Sequence, residues 1–255
     1  MRETVPGAQV VSRIGHVLRA VSGAMPRGLG TTEVARVTGL ARPTAHRLLA
    51  SLAAEGFLDH DSNVGRWYLG PELYLMGSVA SERYDITELA REHVRALAEE
   101  TGESAFLSAR RGDETVCVLR QEGSFPIRSF VLYEGKRFPL GVATAGLAIL
   151  SFLPQEAVER YLARADLEKN YGPEHAPDRI RRRIEETRAS GYATNPGLIV
   201  QGSWGMGAAV FDGAGQPAWA LSLTGIESRF SSDRRPLLGR LLLRQAHALS
   251  EKIKR

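Results

Sequence analysis

Residues 31–49 read Thr31-Thr32-Glu33-Val34-Ala35-Arg36-Val37-Thr38-Gly39-Leu40-Ala41-Arg42-Pro43-Thr44-Ala45-His46-Arg47-Leu48-Leu49. Gly39 divides the stretch, because a residue free to take positive φ ends a helix well. Before it, Thr31 or Thr32 can cap a short helix, with Glu33 in the favourable first turn. Val34, Ala35 and Val37 are expected to face inward. After it, Pro43 suits the first turn of a second helix, where no amide hydrogen is needed. Ala45, Leu48, Leu49 and Leu52 recur at helical spacing and form its buried stripe. Arg42, Thr44, His46 and Arg47 are left for the open side, concentrated near the helix start. A helix that reads the major groove presents its contacts there.

The flanking sequence extends this pattern. Val11, Ile14, Val17, Leu18 and Val21 mark an amphipathic helix that ends near Gly23 and Pro26. Gly56-Phe57-Leu58-Asp59-His60 and Arg66-Trp67-Tyr68-Leu69-Gly70 enclose an Asn/Gly turn and read as a β-hairpin. A hairpin in that position is a wing, whose tip at Asn63 to Arg66 can reach a neighbouring groove. Residues 1–70 hold 8 Arg and no Lys against 5 acids. Phosphate contact is therefore electrostatically reasonable. A three-helix bundle used for protein contacts would share the helical part of the pattern, but not the hairpin or the open arginine face.

The whole chain has 255 residues, 43% of them apolar and 24% charged, with a formal charge of +4. These values fit folded domains and exclude a wholly disordered or collagen-like chain. Arg outnumbers Lys 29 to 4. Arginine forks phosphate and base edges well, but a GC-rich genome also encodes it. No apolar run is long enough for a membrane span, and Met1 to Val11 lacks a secretory pattern. Cys117 is the one cysteine and can form no internal disulfide. A cytoplasmic protein without membrane association is expected.

Beyond residue 70 the pattern changes. Pro71 to Glu99 is helical with few breakers, which suits a connector. Three regions are expected: 8–70, a linker helix over 71–85, and 86–255. In the last, Glu103 to Ala109 and Thr115 to Arg120 read as hairpin strands, and Ile127 to Leu132 as a third. Ala143 to Leu153 reads as a buried helix and Ala176 to Gly191 as a charged one, with Arg179, Arg181, Arg182 and Arg183 on a solvated face. Met206 to Phe211 and Ala218 to Thr224 are apolar strands. Arg234 to Ile253 is a final helix with Leu237, Leu238, Leu241, Leu242, Ala246, Leu249 and Ile253 inward. This order predicts a mixed sheet covered by helices.

The string from Thr32 to Leu49, together with Tyr68-Leu69-Gly70, resembles the signature of the IclR family of bacterial transcription regulators. The resemblance covers about residues 8–250. It implies an α+β or α/β two-domain protein: a winged helix-turn-helix, a linker helix and a GAF-like effector-binding domain with a mixed sheet. The sequence carries no cofactor fingerprint, so no cofactor and no metal are expected. The resemblance also implies operator DNA as partner, homodimers that often pair into tetramers, and repression more often than activation. The DNA-contacting positions would be Thr31, Thr32, Arg42, Pro43, Thr44, His46, Arg47, Arg66 and Tyr68.

Gly135 to Gly146 resembles the family's strand-to-helix loop that lines the effector pocket. Such a small-residue run offers amide hydrogens to a carboxylate, or simply allows tight packing of the helix on the sheet. Matching positions make Leu140, Thr144, Ala145, Asn195, Ser203, Gly205, Ser222 and Thr224 the candidates for binding a small organic carboxylate or aromatic effector. Gly141 and Asn195 stand where many members carry a histidine and an acid. Asn195 can equally be a surface-turn residue. An acyl-transfer or hydrolytic enzyme using Ser203 or Cys117 is the rival reading. No base adjoins either residue in sequence, and the glycines of Gly202-Ser203-Trp204-Gly205 are misplaced for a nucleophile elbow. The six histidines have no metal-ligand spacing. A DNA-binding protein with a vestigial pocket is a third possibility.

Overall fold

The computed structural model describes residues 9–81 and 86–254. Residue 8 of the expected first region, residues 82–85 of the expected linker and the final residue lie outside them. The chain divides into two compact units at residues 85 and 86.

The first unit begins with α1 (Gln9–Ser22), followed by β1 (Leu29–Gly30), α2 (Thr31–Thr38) and α3 (Arg42–Ala54). β2 (Leu58–Asp61), β3 (Arg66–Leu69) and α4 (Pro71–Ser81) complete it. Val17, Val21, Val34, Ala45, Leu49 and Leu52 meet Leu29, Leu58 and Trp67 in one core. The hairpin β2–β3 is joined by β1, so the wing is a three-stranded antiparallel sheet. Gly39 takes φ +69 between α2 and α3, and Leu40 N donates to Ala35 O at 3.1 Å. The expected threonine cap is corrected. Gly30 occupies the cap position, and its amide donates to Glu33 Oε2 at 2.9 Å. Thr31 Oγ1 instead accepts from Trp67 Nε1 at 3.0 Å. Val37 is also corrected: it is 56% exposed, because the α2 stripe is completed by Val34 and Ala35 alone.

The second unit runs α5 (Ile86–Thr101), β4 (Ser104–Arg111), β5 (Glu114–Gln121), β6 (Arg137–Pro139) and α6 (Thr144–Ser151). α7 (Gln155–Leu162), α8 (Leu167–Tyr171), α9 (Pro177–Ser190), β7 (Ala193–Pro196), β8 (Ser203–Phe211), β9 (Pro217–Ile226) and α10 (Arg235–Ile253) follow. The strands lie in the order β6-β5-β4-β9-β8-β7. Strand alternation sends Leu107, Ala208 and Leu221 to the α5–α10 face, and Phe106, Ala209 and Ala220 to the α6–α9 face.

Four expectations change here. Every pairing among the described strands is antiparallel, so the sheet is not mixed and the unit is α+β. Ile127 to Leu132 is not a strand. The adjacent residues Val131 and Leu132 both line one cavity, which a two-residue period forbids, and β5 pairs with Arg137–Pro139 instead. Leu237 lies outward, whereas Leu238, Leu242, Ala246 and Leu249 are inward. Arg183 leaves the solvated face of α9: it is 8% exposed, and its Nη2 donates to Glu174 O at 3.0 Å.

Candidate functional site

Two separate places concentrate the expected site residues. The first is the open side of α3. Ala45, Leu49 and Leu52 are buried, so the helix's other side must face solvent. Arg42, Pro43, His46 and Arg47 are exposed there, with Thr44 half-buried among them. Ala41 is extended before the helix, and Ala45 N closes the first turn on Ala41 O. Pro43 has no amide hydrogen, so the amides of Arg42 and Thr44 are the ones without an intrahelical partner, and they and the helix dipole attract an anion.

The wing residues are placed differently. Tyr68 is half-buried and lies against Gly28. Arg66 is held inward: Nη1 donates to Gly28 O at 3.0 Å and meets Glu33 Oε2 at 3.3 Å. Thr31 is committed to Trp67, whereas Thr32 is exposed. Across the hairpin, His60 stacks on Trp67 with ring centroids 4.1 Å apart. The carboxylate of Glu33 is held below its ordinary range, chiefly by the Gly30 amide and then by Arg27, Arg66 and Arg36. The contacts of Thr31 with Trp67 and of Arg66 with Gly28 and Glu33 carry no sequence signal, since they join residues more than thirty positions apart.

The second place is a cleft in the α+β unit enclosing about 470 Å³, its mouth included. Six of the expected residues line it: Thr144, Ala145, Asn195, Ser203, Gly205 and Thr224. Leu140 and Ser222 do not. Leu140 is fully buried and its carbonyl accepts from the Tyr161 hydroxyl at 2.7 Å. Ser222 lies fully buried beside the site with its Oγ unpartnered. Val131, Leu132, Phe138 and Ile199 supply apolar wall, and Ser108 and Thr115 add hydroxyls. Sequence periodicity missed these because most lie on irregular segments or on distant strands. Alternating polar residues on β4 and β5 were the only available hint.

The register explains how the cleft forms. Gly205 pairs with Thr224 and Gly207 with Ser222. A Cβ on Gly207 would stand 3.1 Å from the Thr144 carbonyl carbon. Two glycines thus let the start of α6 rest on β8, directly beside the hydroxyls of β9. Thr224 Oγ1 is buried without a partner, so it is available to a bound molecule. No lining residue is ionisable, so polar recognition there is by hydroxyls, amides and the α6 dipole.

Asn195 is not a surface-turn residue: it is buried on β7 at the cleft wall, with one donor and one acceptor of its amide taken within the fold. Its Nδ2 donates to Val142 O at 3.0 Å, and its Oδ1 accepts from Leu198 N at 2.9 Å. Ser203 Oγ is 2.6 Å from Ser129 Oγ, not beside a base. Burial pushes the Cys117 thiol up to about 12, so it is a protonated core side chain. Among the described residues no cluster of three potential metal ligands occurs, and no helix is long and apolar enough to cross a membrane.

Comparison with known proteins supplies the decisive observation. The family model described as "Bacterial transcriptional regulator IclR C-terminal" matches residues 79–251, and "IclR helix-turn-helix domain" matches residues 10–62. The chain belongs to the IclR family. The regulator KipR of Bacillus subtilis is 30% identical over 226 residues, covering 88% of this chain and 90% of its own. An IclR regulator from Alicyclobacillus acidocaldarius superposes with a TM-score of 0.80 at 25% identity, covering 98% and 99% of the two chains. An IclR homologue from Microbacterium hydrocarbonoxydans, complexed with 4-hydroxybenzoate, shares the fold with a TM-score of 0.77 at 20% identity, covering 96% and 98%. Further relatives are named repressors. This IclR-family chain is accordingly a helix-turn-helix transcriptional regulator and not an enzyme.

Proposed function

We propose that this regulator reads its operator with α3 and answers to a small organic ligand in the cleft of the α+β unit. The observation that carries the first part is the exposure of Arg42, His46 and Arg47 on the side of α3 opposite Ala45, Leu49 and Leu52. Thr44 and Pro43 complete that edge, and Thr32 flanks it. Thr31 and Tyr68 support the reading surface from beneath, and Arg66 joins the contact only if it leaves Glu33.

The occupant of the cleft is a small carboxylate or aromatic compound. The apolar wall, the unpartnered Thr224 hydroxyl and the start of α6 favour that chemistry. Two copies acting on two half-sites fit the exposed Tyr74, Leu75, Met76 and Val79 of α4, apolar side chains that a second copy can cover. Pairing of such dimers into tetramers, repression as the outcome, and action in the cytoplasm at the nucleoid follow the family pattern.

The test is binding to the DNA beside its own gene, titrated with salt. Arg42→Ala and Arg47→Ala should each weaken binding and make the logarithmic salt slope shallower by about 1 per lost phosphate contact. Variants that bind as tightly as the parent would remove α3 from the reading role. For the cleft, 4-hydroxybenzoate and related small carboxylates should raise the melting temperature. A uniform lack of response across them would count against an occupied cleft.

A further inference from the structure

Glu33 is the one acid among the arginines of the helix-turn-helix stretch 31–50. Its carboxylate does three things at once. Oε2 accepts the Gly30 amide at 2.9 Å and meets Arg66 Nη1 at 3.3 Å, while Oε1 meets Arg27 Nη2 at 3.4 Å. Arg66 opens β3 of the wing, and Arg27 lies in the turn before β1, whose Gly30 pairs with Arg66. Arg27 is 65% exposed, Glu33 34% and Arg66 30%, so the group lies within reach of a polyanion.

A DNA phosphate competes with Glu33 for the same two guanidinium groups, and the carboxylate itself repels it. Phosphate contact is the sequence-independent part of binding, whereas base contacts on α3 supply discrimination. Restraining the two arginines therefore weakens binding to every duplex by a similar factor and leaves base reading intact. Total affinity falls, and the ratio of operator to non-operator affinity is kept.

We propose that Glu33 is a positioning residue that sets the sequence-independent part of DNA affinity, by holding Arg27 and Arg66 away from phosphate contact. This rests on the reading of α3 as the operator-binding helix.

The full chain is compared with Glu33→Gln on two duplexes of equal length, the DNA beside its own gene and an unrelated sequence. Glutamine can still accept the Gly30 amide, as it does in capping boxes, but carries no charge. The unrelated duplex should bind Glu33→Gln several-fold more tightly at low salt, with a slope steeper by about 1 for each arginine released. One such contact adds a factor of about 3.5 to the affinity lost on a fourfold rise in salt. The cognate duplex should gain by a similar factor, so the ratio between the two is kept. An unchanged slope on the unrelated duplex, or equal weakening on both, would overturn the proposal. If Glu33→Gln does not fold, Arg27→Gln in the parent decides. It should leave the unrelated duplex's slope as it was, and a shallower slope would show Arg27 already unrestrained. A parent that distinguishes neither duplex would sink the operator reading first, and the role of Glu33 with it.

Discussion

Asn195 on β7 donates its side-chain amide to the carbonyl of Val142, fifty-three positions earlier, at 3.0 Å. With the Leu198 amide on its Oδ1, it ties the edge strand β7 to the loop that launches α6. Both the position and the shape of the cleft depend on this strut. Asn195→Asp keeps the acceptor but turns a donor into an oxygen facing the Val142 carbonyl. It should cost about 1–3 kcal/mol, the usual range for a buried polar group left facing the wrong partner. Urea unfolding measures this, and parent-like stability would show that the strut carries no weight.

Gly207 permits a close approach between α6 and β8. An added Cβ would lie 3.1 Å from a backbone atom of Thr144 and 3.2 Å from its Cβ, so helix and strand must part. Gly207→Ala should destabilise by about 1–3 kcal/mol through overpacking and weaken any ligand response of the cleft. Gly213→Ala is the control, since nothing stands within 4 Å of its added atom. Equal unfolding midpoints for the two variants would contradict this account of the packing.

The Cys117 thiol, raised to about 12 mainly by burial, stays protonated at neutral pH. Thiolate is the reactive form. A disulfide reagent should modify native protein far more slowly than protein in denaturant. Rapid native labelling would mean that the β5 face opens readily around the thiol.

His175 is fully buried, with Nδ1 3.0 Å from Tyr171 O. Burial, and then the positive charge of Arg183, lower its pKa below the ordinary 6.5, despite opposing effects from the Tyr171 and Val142 carbonyls and from Glu174. The folded state therefore prefers the neutral ring, and the unfolded state takes the proton more readily. Stability from this group is full above about pH 6.5, falls as the pH drops below that value, and levels off below the folded pKa. Denaturation midpoints at a series of pH values should decline less steeply for His175→Gln than for the parent. Identical slopes would exclude the histidine as a contributor.

Local signals were enough for the first unit. Helical spacing located α1, α2 and α3, Gly39 marked the turn between them, and the Asn/Gly turn marked the hairpin. Those are short-range properties of backbone freedom and apolar period, and they survive in a single sequence. The same reasoning failed where long-range contacts override them. Arg66 and Arg183 read as solvent-facing cations, yet Glu33 engages one and the Glu174 carbonyl the other. Val131 and Leu132 read as a strand, yet both turn into the cleft.

A winged helix-turn-helix with arginines on the open side of its second turn-forming helix, followed by a domain of strands and helices, is legible in residue order alone. Which polar groups remain available is set by the packed fold. One donor and one acceptor of Asn195 and the Ser203 hydroxyl are engaged within the protein, and the Thr224 hydroxyl has no partner. The reason is physical: a buried donor or acceptor must be satisfied by whatever the fold brings near it, and that neighbour is set by strand register and packing, not by adjacent residues.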